Sequence, residues 1–111
     1  MKVRRTEKNA QERYDKLAKS HVDDWKLSSD TKKGFHRITE TFFRVFDSII
    51  KKKDHISDIK VLDIGCASGH YCRKINDKGI EIEGCDYSSG LIKIANKKNV
   101  SRNIKFKQAN V

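Results

Sequence analysis

Apolar residues recur along this chain with two different periods, and the change between them divides it. Over residues 1 to about 27, Tyr14, Leu17, Ala18, Val22 and Trp25 return at intervals of three and four within a polar background, which predicts an amphipathic helix with a frayed start. Ser28, Ser29 and Asp30 then supply N-cap formers. Behind them Phe35, Ile38, Phe42, Val45, Phe46, Ile49 and Ile50 fall on one helical stripe, predicting a second helix near 31 to 53 whose phenylalanines pack into a core. Lys51, Lys52 and Lys53 end it, cations placed against the negative end of the helix dipole.

From Ile59 the pattern shortens. Ile59 to Ile64 is a mostly apolar run bounded by Gly65, as expected of a parallel strand buried on both faces. His70 to Lys78 suits a helix closed by Gly79 in a left-handed conformation. Ile80 to Cys85 alternates as a second strand, Ser88 and Ser89 can cap a helix carrying Leu91, Ile92, Ile94 and Ala95, and Ile104 to Ala109 alternates as a third strand. With right-handed crossovers, this order gives three parallel strands of an α/β, Rossmann-like doubly wound sheet. Only its first half is present, preceded by two N-terminal helices.

Composition narrows the setting. A chain of 111 residues with 36% hydrophobic content supports one modest core. No apolar run approaches the roughly 20 residues of a membrane span, and Met1 to Glu7 has no apolar segment behind its charges to act as a signal, so the expected location is the cytoplasm. Cys66, Cys72 and Cys85 lack the paired spacing of a zinc site, and His21, His36, His55 and His70 complete no pattern with them. Reduced thiols and no metal are expected. The formal charge of +10 would attract an anionic partner such as RNA, but the lysines are spread along the whole length without interleaved aromatics.

The chemistry gathers in the turns. Gly65 and Gly69 flank a tight strand-to-helix turn at the carboxyl edge of the sheet, where such folds bind ligands. Asp86 ends the next strand about 20 residues on, where a carboxylate can accept both hydroxyl hydrogens of a ribose. Together they indicate a nucleoside-containing ligand. A dinucleotide needs G-x-G-x-x-G to hold its pyrophosphate, and here Ala67 and His70 occupy the second and third glycine positions. Asp63 beside the turn would repel a pyrophosphate yet suits a ligand that carries an ammonium and a sulfonium and no phosphate.

Val61 to Gly69 resembles the first motif of class I S-adenosylmethionine (SAM)-dependent methyltransferases, Gly84 to Ser88 resembles their acidic second-strand motif, and Leu91 to Ala95 resembles the helix after it. The resemblance covers about residues 59 to 111. It implies SAM as cofactor, with Asp63 and the backbone at Gly65, Cys66, Ala67 and Gly69 near the methionine portion, Asp86 on the ribose hydroxyls and Tyr87 beside the adenine. Asn110 and Val111 match the segment after the third strand, where the family commonly has an aspartate accepting from the adenine amino group; the carbonyl of Asn110 can accept the same bond. Related enzymes often use an N-terminal helix as a lid that contributes a tyrosine, a role open to Tyr14 alongside simple packing. Residues 1–57 are thus expected to form a helical lid or cap segment and 58–111 a partial cofactor-binding domain.

The same resemblance implies seven strands in the order 3-2-1-4-5-7-6, of which this chain carries three. The edge of the first strand is then unpaired, which suggests a fragment of a longer protein or a covering second copy. The leading expectation is a methyltransferase acting on a small-molecule acceptor, with no membrane partner. Open alternatives are a non-catalytic SAM-binding or partner-binding module, an RNA methyltransferase drawing on the basic charge, and a nucleotide-dependent oxidoreductase, which Asp63, Ala67 and His70 disfavour. No residue is assigned as a catalytic base.

Overall fold

The computed structural model describes residues 9, 12–13, 15–16, 29–100 and 102–110, with the side chains of 29–32 excepted. Tyr14, Val111 and most of the first predicted helix lie outside the described residues; those described between 9 and 16 are helical. The remaining elements are α1 (Ser29–Ile50), a 3-10 turn (Ile56–Asp58), β1 (Lys60–Ile64), α2 (His70–Asn76), β2 (Glu81–Asp86), α3 (Ser89–Lys98) and β3 (Lys105–Gln108). The strands are parallel and lie in the order β1-β2-β3, with β2 in the middle.

Register decides which residues share a face. Val61 lies opposite Ile82, and Asp63, Gly84 and Phe106 form one row across the sheet. This face carries the core, in which Cys66, Cys72, Ile75, Ile80, Ile82, Ile92 and Ile104 are buried, with Phe43, Phe46, Ile50, Ile59, Val61 and Phe106 packed against them. On the other face, Leu62 and Ile64 are each 59% exposed, and charged side chains follow outward, with Glu83 opposite Lys105. The expectation that the first strand is buried on both faces is therefore corrected. Its apolar run is continuous, but the described helices cover only one face.

A second correction concerns α1. The stripe read as a single core face is split: Phe35, Phe46 and Ile50 turn inward with Thr39 and Phe43, whereas Ile38, Phe42, Val45 and Ile49 are exposed. The apolar arc is simply wider than the surface it meets. Aromatic contacts fasten α1 to the first turn of α2, with the Phe42 ring stacked 4.9 Å from Tyr71 and Phe43 meeting Tyr71 edge-on at 5.6 Å. The buried Thr39 hydroxyl shares a 2.9 Å hydrogen bond with the Tyr71 phenol. Helix α2 closes earlier than predicted, at Asn76, with Gly79 at φ 83° after it. Ser88 caps α3 as expected, its side chain accepting from the Leu91 N–H at 3.2 Å. Among the described residues, no helix is long and apolar enough to cross a membrane.

Candidate functional site

The β1–α2 turn is suspended from the second strand. The N–H groups of Gly65 and Cys66 both donate to the Cys85 carbonyl, at 2.8 and 2.9 Å. The chain then reverses through three left-handed residues, Gly65 (φ 81°), Ala67 (φ 51°) and Gly69 (φ 82°). Ala67 is the one non-glycine among the described residues with positive φ, so it takes a conformation that glycine adopts more readily. The Arg73 guanidinium closes the turn from behind, donating to the Ser68 carbonyl at 2.6 Å.

Asp86 joins three segments. Its Oδ2 accepts the Ala67 N–H at 2.8 Å, its Oδ1 accepts the Ser88 N–H at 2.9 Å, and its backbone carbonyl accepts the Ala109 N–H at 2.9 Å. Turn, second strand and the segment after β3 thus meet at one half-buried residue. Each carboxylate oxygen accepts one bond from the described residues and has capacity for a second. The partly buried Tyr87 follows directly, its carbonyl accepting from the Gln108 amide at 3.3 Å, while Asn110 is exposed one residue beyond the Asp86–Ala109 bond.

Asp63 stands near the end of β1, two residues before Gly65. It faces the covered side, where Cys72 Sγ donates to its Oδ2 at 3.4 Å and its other oxygen accepts nothing from the described residues. Burial holds its pKa above the usual aspartate value and the charge of Asp86 adds to this, against the Cys72 bond, which lowers it. A carboxyl with a folded pKa above its unfolded one loses stability as pH rises between the two. Asp63→Asn is therefore expected to raise the melting temperature at pH 7, with the gain fading towards about pH 4, near the unfolded aspartate value. Thermal melts across that range check it, and an equal effect at both ends would sink the explanation.

Cys66 contributes its backbone to the turn. Its side chain turns into the core, 6% exposed, and crosses Gly84, where an added Cβ would lie 2.9 Å from its sulfur. Phe106 crosses the same glycine and reaches on to Gly69, where a Cβ would lie 2.6 Å from the ring. Gly84, Phe106 and Cys72 are the residues that reading the sequence missed. A glycine inside an alternating strand was the available signal for the first, since it marks close approach of another segment.

The N-terminal segment reaches this neighbourhood through Asp15, whose carboxylate accepts from the Ser88 hydroxyl and, at 3.4 Å, from the Gly90 N–H. A cavity of about 620 Å³ lined by Asn9, Glu12, Arg13, Asp15 and Lys16 adjoins that contact. Among the described residues, no group of three or more His, Cys, Asp or Glu could hold a metal ion.

The family model for a methyltransferase domain matches residues 30–110. The chain belongs to this family. Among solved structures, the magnesium protoporphyrin IX methyltransferase from Synechocystis PCC 6803, with bound SAM, is 15% identical and matches with a TM-score of 0.73 over 96% of this chain and 55% of its own. The PH0226 protein from Pyrococcus horikoshii OT3 is 27% identical, with a TM-score of 0.57 over 68% of this chain and 34% of its own. No curated protein matches. The methyltransferase domain described here therefore spans between about a third and about half the length of these two structures.

Proposed function

We propose that this chain is the cofactor-binding portion of a SAM-dependent methyltransferase of class I that acts in the cytoplasm on a small-molecule acceptor. The observation that carries this reading is the Asp86 carboxylate, fixed by two backbone amides at the end of β2 with acceptor capacity left on both oxygens. Such a group suits the vicinal hydroxyls of a ribose. A Cβ built at Gly65 meets nothing within 4 Å, so the front of the turn is open to a ligand, and no G-x-G-x-x-G phosphate cradle stands there.

The residues divide the work by chemistry. The turn backbone at Gly65, Cys66, Ala67 and Gly69 would hold the methionine end, and the second oxygen of Asp63 would attract an ammonium group. Asp86 would hold the ribose hydroxyls, Tyr87 would lie beside the adenine, and the Asn110 carbonyl would accept from the adenine amino group. Bound SAM supplies a methyl that is already electrophilic on its sulfonium, so the protein's contribution is chiefly positioning. Among the described residues β1 is paired on one side only, and this edge with the exposed Leu62 and Ile64 supports a longer protein, or a second copy, completing the sheet.

Calorimetric titration with S-adenosylhomocysteine and, separately, with NAD tests the reading. Binding of the first and not the second is expected. NAD binding in the absence of S-adenosylhomocysteine binding would reverse it.

A further inference from the structure

We propose that Cys72 is a positioning residue: its thiol, donated from the first turn of α2 to Oδ2 of Asp63, holds that carboxylate in one orientation and leaves Oδ1 for a cationic group of the ligand. The inference rests on the SAM-site reading above. It begins with geometry, because Asp63 and Cys72 are brought together by the turn, with Sγ 3.4 Å from Oδ2. Cys72 is fully buried, so no water competes for the thiol. Oδ1 accepts no bond from the described residues.

A thiol suits this place for three reasons. It packs as a small apolar group beside Ile75, Ile80 and Ile82, where an amide or ammonium donor would lack partners. It is a weak donor, so it orients the carboxylate without neutralising the charge that the ligand's cation must meet. It also stays protonated: contact with Cys66, burial and the Asp63 carboxylate all push the Cys72 thiol upward. The groups that face Asp63 are Cys72 from α2 and the like charge of Asp86 from the end of β2, while Cys66 from the turn reaches it through Cys72. The thiol is the one of these that favours the ionised form.

The full chain with Cys72→Ala, Cys72→Val and Cys72→Ser, in reducing buffer, tests this by two readouts. The first is the Asp63 carboxyl titration followed by carbon-13 NMR without ligand, and the second is the affinity for S-adenosylhomocysteine against pH. Loss of the donor in the alanine and valine variants is expected to move the Asp63 midpoint upward and to weaken binding near neutrality by about three- to tenfold. The pH dependence of binding should move with the midpoint. Serine, which keeps a donor, is expected to restore both towards wild type, an outcome that simple core filling would not produce. Valine preserves the volume and carries the test if alanine fails to fold. An Asp63 titration unchanged in either folded variant overturns the proposal. A shifted titration in a protein that binds no S-adenosylhomocysteine at any pH would instead overturn the SAM-site reading and leave the Cys72–Asp63 coupling standing.

Discussion

Gly69→Ala is expected to cost about 2–4 kcal/mol of folding stability, from left-handed strain and overpacking together. The backbone there sits at φ 82°, and the new methyl would lie 2.6 and 2.8 Å from two atoms of the Phe106 ring. The same edge of the ring also passes over Gly84, where a Cβ would lie 2.9 Å from its Cδ1, so the ring is held close to both glycines. Gly79 provides the control. Its φ of 83° is nearly the same, but an added Cβ meets nothing within 4 Å, so Gly79→Ala should cost only the backbone strain, about 1 kcal/mol. Denaturant unfolding of both variants separates the two effects. Equal losses would show that the ring does not wall the turn.

Asp86→Ala is expected to act on stability and binding at once. It leaves the N–H groups of Ala67 and Ser88 without their acceptor, at about 1–3 kcal/mol in stability. It would also remove the charge-assisted bonds to the proposed ligand's ribose, weakening S-adenosylhomocysteine by ~1–3 kcal/mol, about five- to 150-fold. Calorimetry on folded protein below its melting temperature isolates the second effect. Undiminished affinity there would remove Asp86 from the ligand site.

The strands and the tight turn were legible because each rests on local pattern: alternation in 80–85, an apolar run at 59–64, and glycines at 65, 69 and 79; the order of the strands came from the family resemblance. The spacing of Asp63 and Asp86 likewise marked both carboxylates. What they touch was not legible. Asp63 meets Cys72 only because the helix after the turn folds back over the strand, and no period in the sequence records that pairing. Gly84 was read as one more residue of an alternating strand, yet it is small because Cys66 and Phe106 cross it from two other segments. In α1 the apolar stripe was correctly seen as helical. How much of its width is covered depends on neighbouring elements, and Ile38, Val45 and Ile49 remain exposed.

The reach of Phe106 also bears on the order in which the protein matures as it leaves the ribosome. The turn at 65–69 is made early, but the ring that walls it and the Ala109 amide that fastens the end of β2 emerge well downstream. The walled turn is therefore finished by the last strand described, not by the motif that marks it, and a nascent chain stalled before Phe106 would display the motif without its wall.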